Sequence, residues 1–127
     1  MKQAKLDEIT AKLHKMTPSL VNDALTVFQQ DPYLVARYGK GLREVAQQGV
    51  SSLRDVLLGA LQFDHPQLLG SELKWLERLL EARQINPQTL QTHLHHFRAR
   101  LDQDLPPEDA KVLLIVFDQA VEILPLR

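Results

Sequence analysis

Three histidines, His93, His95 and His96, form the densest group of titratable nitrogen atoms in the chain. On a helix His93 and His96 share a face, because they are three positions apart, and both could then reach one metal ion or a haem iron. The positions one turn to either side carry Thr, Leu, Ala and Arg rather than the Asp, Glu or Cys that would complete a ligand set. Isolated histidines at helical spacing are weak ligand signals, so the polar border of an ordinary helix is the alternative interpretation.

Acidic residues and glycines do not form a recognisable catalytic motif. Carboxylates used in acid–base catalysis normally share an apolar environment, whereas Glu77, Glu81, Asp102 and Glu122 fall on predicted outer helix faces. No nucleophile motif occurs. The segment 39–41, Gly-Lys-Gly, lacks the spacing and the preceding strand of a phosphate-binding loop, so we expect it to join two helices. We therefore predict that the protein is not an enzyme.

Aromatic residues and interior glycines leave a ligand cavity open as a possibility. Most of the aromatic side chains lie on predicted inner stripes, where either core packing or a lined cavity would place them. Gly49 and Gly59 each cost about 1 kcal/mol relative to alanine inside a helix. A close helix crossing or a helix break explains them, and a flat ligand lying against exposed backbone is the alternative. In that alternative Trp75, with His93 or His96, binds haem or another tetrapyrrole.

Composition limits the class of protein. The 127 residues, 44% of them hydrophobic, are enough for one core, so we predict a single domain over 1–127. The net charge is −1 and the basic residues are not concentrated, which argues against nucleic acid as a partner. The absence of Cys excludes disulfides, thiolate metal sites and thioether-linked chromophores. Because no stretch has the character of a secretory signal or a membrane span, we predict a cytoplasmic protein without a membrane partner.

Proline placement predicts where the helices begin. Proline at the first helical position loses no hydrogen bond, and five Pro sites stand just before segments whose apolar residues recur every three or four positions. The predicted helices cover 3–15, 18–30, 32–38, 41–63, 66–83, 87–101 and 107–124. The fold class is therefore all-α, and we expect a compact orthogonal or globin-like bundle of six to seven helices.

Two of the predicted helices carry apolar faces that indicate where each helix packs. Leu6, Ile9, Leu13 and Met16 form a narrow apolar seam on the leading helix, so residues 1–16 are expected to pack either within the bundle or on a partner subunit. The helix over 66–83 is apolar on two rows, one of which includes Trp75. A helix apolar over so wide an arc is usually central, and we predict that it is the core helix.

Five short segments follow one another between Asp31 and Ile123. They read DPY at 31–33, RYGKGLR at 37–43, HPQLL at 65–69, WLERLLEAR at 75–83 and INPQTL at 85–90. Together they resemble the helical modules of bacterial and cyanobacterial sensory and regulatory proteins, including the helical part that precedes the cobalamin-binding domain in some sensors. This resemblance implies a sensory or regulatory module.

The same resemblance does not extend to cobalamin binding. Cobalamin-dependent light-sensing repressors carry a Trp followed further along by a Glu-His pair, whereas Trp75 is followed by Arg83, Gln84 and Ile85. The Asp-x-His-x-x-Gly motif that supplies the lower cobalamin ligand is also absent from the sequence. We therefore expect no cobalamin on this chain alone.

The function predicted from the sequence is that of a non-enzymatic regulatory or sensory domain. It would act through protein–protein contacts, either with another domain or as a homodimer, and would need no cofactor. The alternative is a haem-binding or other tetrapyrrole-binding sensor that is globin-like or phycobilisome-like, a comparison suggested by the number of helices in this length.

Overall fold

Six α-helices and one short 3-10 turn make up the fold in the computed structural model, which describes residues 1–122. The helices are α1 (Gln3–Phe28), α2 (Pro32–Tyr38), α3 (Leu42–Gln62), α4 (Gln67–Ala82), α5 (Pro87–Asp104) and α6 (Pro107–Val121), with the 3-10 turn at Gly39–Gly41. This range contains no strand, which confirms the all-helical class. The predicted end of the last helix at Leu124 lies outside the described residues.

Pro18 lies inside α1, so the prediction of two helices separated at this point is wrong. Thr17 does not cap a new helix; its hydroxyl donates to the carbonyl of Leu13, 2.9 Å away and one turn back. Buried apolar residues continue through the proline at helical spacing, with Met16 before it and Leu20 after it. Burying this continuous stripe outweighs the cost of about 3 kcal/mol that an interior proline imposes.

Other helix boundaries agree with the sequence. Asp31 precedes Pro32, and its carboxylate accepts hydrogen bonds from the amides of Tyr33 and Leu34. Asn86 precedes α5 in the same way and accepts from the amide of Gln88 at 2.9 Å. These side chains satisfy amides that have no partner inside the helix, which is why Asp and Asn favour this position.

The five longer helices pack around one main core. α1 lies against α3 and α5, α3 also contacts α4 and α6, and α6 contacts α4 and α5. The apolar seam of the leading helix is buried in this core, where Ile9 and Leu13 have no exposed surface. The seam therefore packs within the chain and is not a free surface for a second subunit.

α4 is not the core helix that its two apolar rows predicted. It buries only Leu69, Gly70 and Leu73, all in its first half. Trp75 is 58% exposed, Ala82 is also exposed, and the three leucines of the second half are only partly buried. α4 thus lies at the edge of the bundle, and one of its apolar faces is not covered by protein.

A buried carboxylate joins the first helix to the last. Asp109, in the first turn of α6, has no exposed surface and lies against the ammonium groups of Lys5 and Lys12 on α1. The Lys12 Nζ to Asp109 Oδ2 distance is 2.7 Å. Hydrogen bonds from Lys12, the larger contributor, and from Lys5 hold the pKa of Asp109 below its ordinary value, although burial acts in the opposite direction.

None of the helices in residues 1–122 is both long and apolar enough to cross a membrane.

Candidate ligand-binding cavity

A cavity of about 310 Å³ opens between α3 and α4. The side of the cavity formed by α3 consists of Val45, Gln48, Gly49, Ser52 and Leu53. The side formed by α4 consists of Glu72, Leu73, Trp75, Leu76, Leu79 and Leu80. α1 and α5 close its base with Phe28, Leu90, His93 and Leu94. Its volume lies at the lower end of the range of about 300 to 1,000 Å³ found for small-molecule sites.

Gly49 explains part of the open space beside α3. A Cβ atom added there would meet nothing within 4 Å, and the same is true at Gly59. A close helix crossing, which was one explanation of these glycines, is therefore wrong at both positions. Gly49 lines the cavity and Gly59 does not. The backbone of α3 is thus accessible to a molecule in the cavity only at the first of the two glycines.

His93 is the buried polar group of the cavity. It is only 6% exposed, and its ring lies edge-on to Phe28 and Phe97 at centroid distances of 5.3 and 6.3 Å. Within residues 1–122 its Nδ1 atom has no hydrogen-bond partner. Burial, with a smaller contribution from the charge of His96, lowers the pKa of His93 to about 4. The imidazole is therefore neutral at pH 7 and presents one donor nitrogen and one acceptor nitrogen.

The structure brings together two of the three predicted cofactor-binding residues. Trp75 and His93 line the same cavity, whereas His96 is exposed and does not. The two histidines therefore do not approach one common site from the helix face that their spacing suggested. In the part of the chain that the structure describes, no group of three His, Cys, Asp or Glu side chains could hold a metal ion.

The aromatic residues divide between the core and the surface. Phe97 and Phe117 are buried and stack with a centroid distance of 5.9 Å, as core packing predicts. Tyr33 and Phe63 are exposed, while Tyr38 is half-buried and lines the cavity with Trp75. Core packing is therefore confirmed for Phe97 and Phe117, whereas a ligand-binding role for the aromatic residues that line the cavity stays a prediction.

Comparison with known proteins adds no relative. No family model, curated protein or solved structure matches the chain. The geometry of the cavity is therefore the basis for the functional argument.

Sequence reasoning missed several cavity residues. Glu72 and Arg83 bring opposite charges to the lining from α4 and the residue after it, and Thr89 contributes from the start of α5. The hydroxyl of Thr89 donates to Asp31 at 2.7 Å, which fixes the start of α5 against the start of α2. The cavity residues of α4 could have been predicted from the sequence, because Glu72, Leu76 and Leu79 recur at helical spacing on the face that carries Trp75. The approach of α5 depends on tertiary packing, which periodicity does not encode.

A second depression, of about 550 Å³, adjoins the first between α4 and the start of α5. It shares Leu80, Ile85 and Leu90 with the first cavity, and Glu77 and Glu81 also line it. Glu77 Oε2 is also buried without a hydrogen-bond partner in residues 1–122, but Glu77 as a whole is only partly buried, unlike His93. The cavity between α3 and α4 is the better candidate, since it combines an apolar lining with a buried polar group.

Proposed function

We propose that this protein is a non-enzymatic sensory or regulatory module that binds a small, largely apolar molecule in the cavity between α3 and α4. The observation that carries the proposal is the unpartnered imidazole of His93 at the base of an apolar cavity. Buried polar groups in native proteins nearly always have a hydrogen-bond partner, and leaving one without a partner costs about 1 to 3 kcal/mol. Nδ1 is itself fully enclosed, so a ligand in the cavity would pair with the imidazole through its other ring nitrogen, Nε2.

Two observations support an organic ligand over an iron porphyrin. A histidine that binds iron usually donates its second ring nitrogen to a carboxylate or carbonyl, and His93 lacks a partner of this kind at Nδ1 in residues 1–122. His96 lies outside the cavity. The globin-like or phycobilisome-like tetrapyrrole sensor stays a prediction, and the visible absorbance spectrum before and after addition of haemin tests it.

Contact with another protein is the second candidate, and two exposed apolar side chains support it. Phe63 at the end of α3 and Leu68 at the start of α4 form an exposed corner. A homodimer and a cytoplasmic location remain predictions from the sequence. Sedimentation of the purified chain tests the dimer, and a monomer over the whole concentration range would contradict it.

The experiment for ligand binding uses Trp75, the only tryptophan in the chain, as the reporter. The probe is N-phenyl-1-naphthylamine, which is uncharged and becomes fluorescent in apolar surroundings. We expect saturable binding with quenching of Trp75 by energy transfer. Gly49→Leu should fill the cavity and weaken binding about tenfold or more, since a larger side chain there competes with the probe for the same space.

Gly59→Leu is the matched control for this experiment. It adds the same side chain to the same helix at the other glycine with open space, away from the cavity. We expect its affinity for the probe to equal that of the unmodified protein. Absence of saturable binding, or equal weakening by both substitutions, would contradict the proposed function.

A further inference from the structure

We infer that the ligand is an uncharged aromatic molecule with one polar group, and that this group forms a hydrogen bond with the imidazole of His93 at the base of the cavity. The inference rests on the proposed function and names the chemical class that the same site selects. It follows from the polar group at the base of the cavity, the balance of charge in its lining and the shape of its sides.

His93 sets the requirement for a polar group. It is the buried polar side chain of the cavity and makes no side-chain hydrogen bond in residues 1–122; its Nδ1 is fully enclosed, so a ligand in the cavity would pair with the other ring nitrogen, Nε2. Phe28 and Phe97 lie edge-on beside the ring, so they offer no hydrogen bond. A purely apolar ligand would leave the imidazole without a partner, whereas a hydroxyl, carbonyl or ring N–H group can pair with it.

The charges of the lining set the requirement for a neutral molecule. Glu72 and Arg83 contribute one negative and one positive group, so neither sign of ligand charge is favoured overall. His93 is neutral at pH 7 because burial lowers its pKa. A charged ligand group at the base would lose its hydration without an opposite charge to compensate, which is costly.

The sides of the cavity favour a flat ring. Gly49 leaves the backbone of α3 uncovered on one side, with no atom within 4 Å of the place a Cβ would occupy. Trp75 lines the α4 side, and Phe28 lines the base next to His93. Aromatic side chains favour stacked or edge-on contact with another aromatic ring, and an uncovered stretch of helix accepts a flat surface.

The test compares three naphthalene compounds by equilibrium dialysis at pH 7.5. Naphthalene has no polar group, 2-naphthol adds one neutral hydroxyl and 2-naphthoate adds a negative charge to the same ring system. We expect 2-naphthol to bind about five- to tenfold more tightly than naphthalene, the ratio that one neutral hydrogen bond provides. We expect 2-naphthoate to bind most weakly of the three.

Variants assign the preference to His93. His93→Phe keeps a flat ring without hydrogen-bonding atoms, and we expect it to bind naphthalene and 2-naphthol equally. His96→Phe is the matched control, one turn away on α5 and outside the cavity, and should keep the preference. His93→Gln retains hydrogen-bonding atoms and should keep part of it. The comparison of the three compounds on the unmodified protein does not depend on any variant folding.

The outcomes separate this inference from the proposed function. Equal binding of naphthalene and 2-naphthol to the unmodified protein, or tightest binding of 2-naphthoate, would overturn the inference while leaving the cavity as a binding site. Retention of the full preference in folded His93→Phe would also overturn it. Binding of none of the three compounds would overturn both the inference and the proposed function.

Discussion

His93 shows how one residue takes its character from its surroundings. In the sequence it belongs to a cluster of three histidines on a mostly polar helix, and the border of a helix is a natural place for all of them. In the structure His95 and His96 are exposed, whereas His93 is buried beside Phe28 in the lining of the cavity. The chemical difference between these residues therefore comes from packing rather than from their spacing.

Burial of His93 makes folding sensitive to pH. Its folded-state pKa is lowered from 6.5 to about 4, so between these values the unfolded chain binds more protons than the folded one. The free energy of unfolding is therefore highest above pH 6.5 and falls as the pH drops towards 4, by about 3 kcal/mol for a shift of this size. His93→Phe should remove this contribution, as measured by urea unfolding at pH 7.5, 5.5 and 4.5.

Four other titratable or charged groups lie near His93, one on its own helix and three from elements packed against it. His96 is exposed on the same helix, and its charge contributes less than burial to the lowered pKa. Glu72 and Arg83 line the cavity from the α4 side, Tyr38 lines it near the end of α2, and α1 contributes Phe28. His96→Phe is the control, and a pH profile that flattens in this variant as much as in His93→Phe would contradict the assignment.

Gly49 gives a second prediction at the residue scale. Alanine at this position meets open space and removes the conformational cost of glycine in a helix, so Gly49→Ala should raise the free energy of unfolding by about 1 kcal/mol. Thermal unfolding measures the change. Gly39→Ala should have the opposite sign, because Gly39 ends α2 with φ at +50°, where a side chain is strained. Destabilisation by Gly49→Ala would contradict the open space beside this residue, since it would show that a Cβ atom there meets neighbouring atoms.

The residues that cap helices were predictable from sequence, and the base of the cavity was not. Asp31 and Asn86 act locally, on amides two or three positions further along the chain, and a local pattern is enough to assign them. His93 and Thr89 gain their roles from helices distant in the sequence. The same holds for Asp109, which lies in the first turn of α6 and is buried against two lysines of α1.

At the scale of elements, α1 shows that a continuous apolar stripe can override a helix-start signal. The spacing of Met16 and Leu20 across Pro18 continues the stripe of the leading helix without a change of face. That continuity was visible in the sequence and outweighs the Thr17-Pro18 pair. In α4 an apolar pattern was misleading instead, since its two apolar rows predicted a central helix, but residues of both rows line a cavity at the edge of the bundle.

Pro18→Ala tests the account of α1. Alanine restores an amide that can bond to the carbonyl of His14 and removes the clash of the ring with that turn. Allowing for the greater freedom that the unfolded chain gains, we expect the free energy of unfolding to rise by about 1 to 2 kcal/mol in a urea titration. Pro32→Ala, at the first position of α2, restores no helical hydrogen bond and should give no such gain. A loss of stability in Pro18→Ala would show that the proline has a role the stripe does not explain.

At the scale of the whole molecule, the two ends of the described fold are joined through Asp109. Lys5 and Lys12 on α1 neutralise a carboxylate that α6 buries completely, so the contact spans the length of the chain. Removing one partner of such a cluster leaves the remaining charges without compensation.

Asp109→Asn should lower the melting temperature at pH 7. Because the pKa of Asp109 is lowered in the folded state, its stabilising effect is fully present above the ordinary value of 3.8 and is lost as the pH falls below it. The melting temperatures of the variant and the unmodified protein should therefore converge in acid. Glu108→Gln, at the exposed neighbouring position, is the control and should change the melting temperature less. A difference that stays constant from pH 7 to pH 3 would contradict the ionic explanation.

The two sides of the cavity differ in how much of each helix is anchored in the core. The hydrogen bond between Thr89 and Asp31 joins the beginnings of α5 and α2 at one end of the cavity. α3 is anchored along its length by fully buried residues such as Val50 and Leu57. The second half of α4, by contrast, has no fully buried residue to anchor it. The α3 side of the cavity is therefore held by buried packing along the whole helix, whereas the α4 side is held by buried packing only through the first half of its helix.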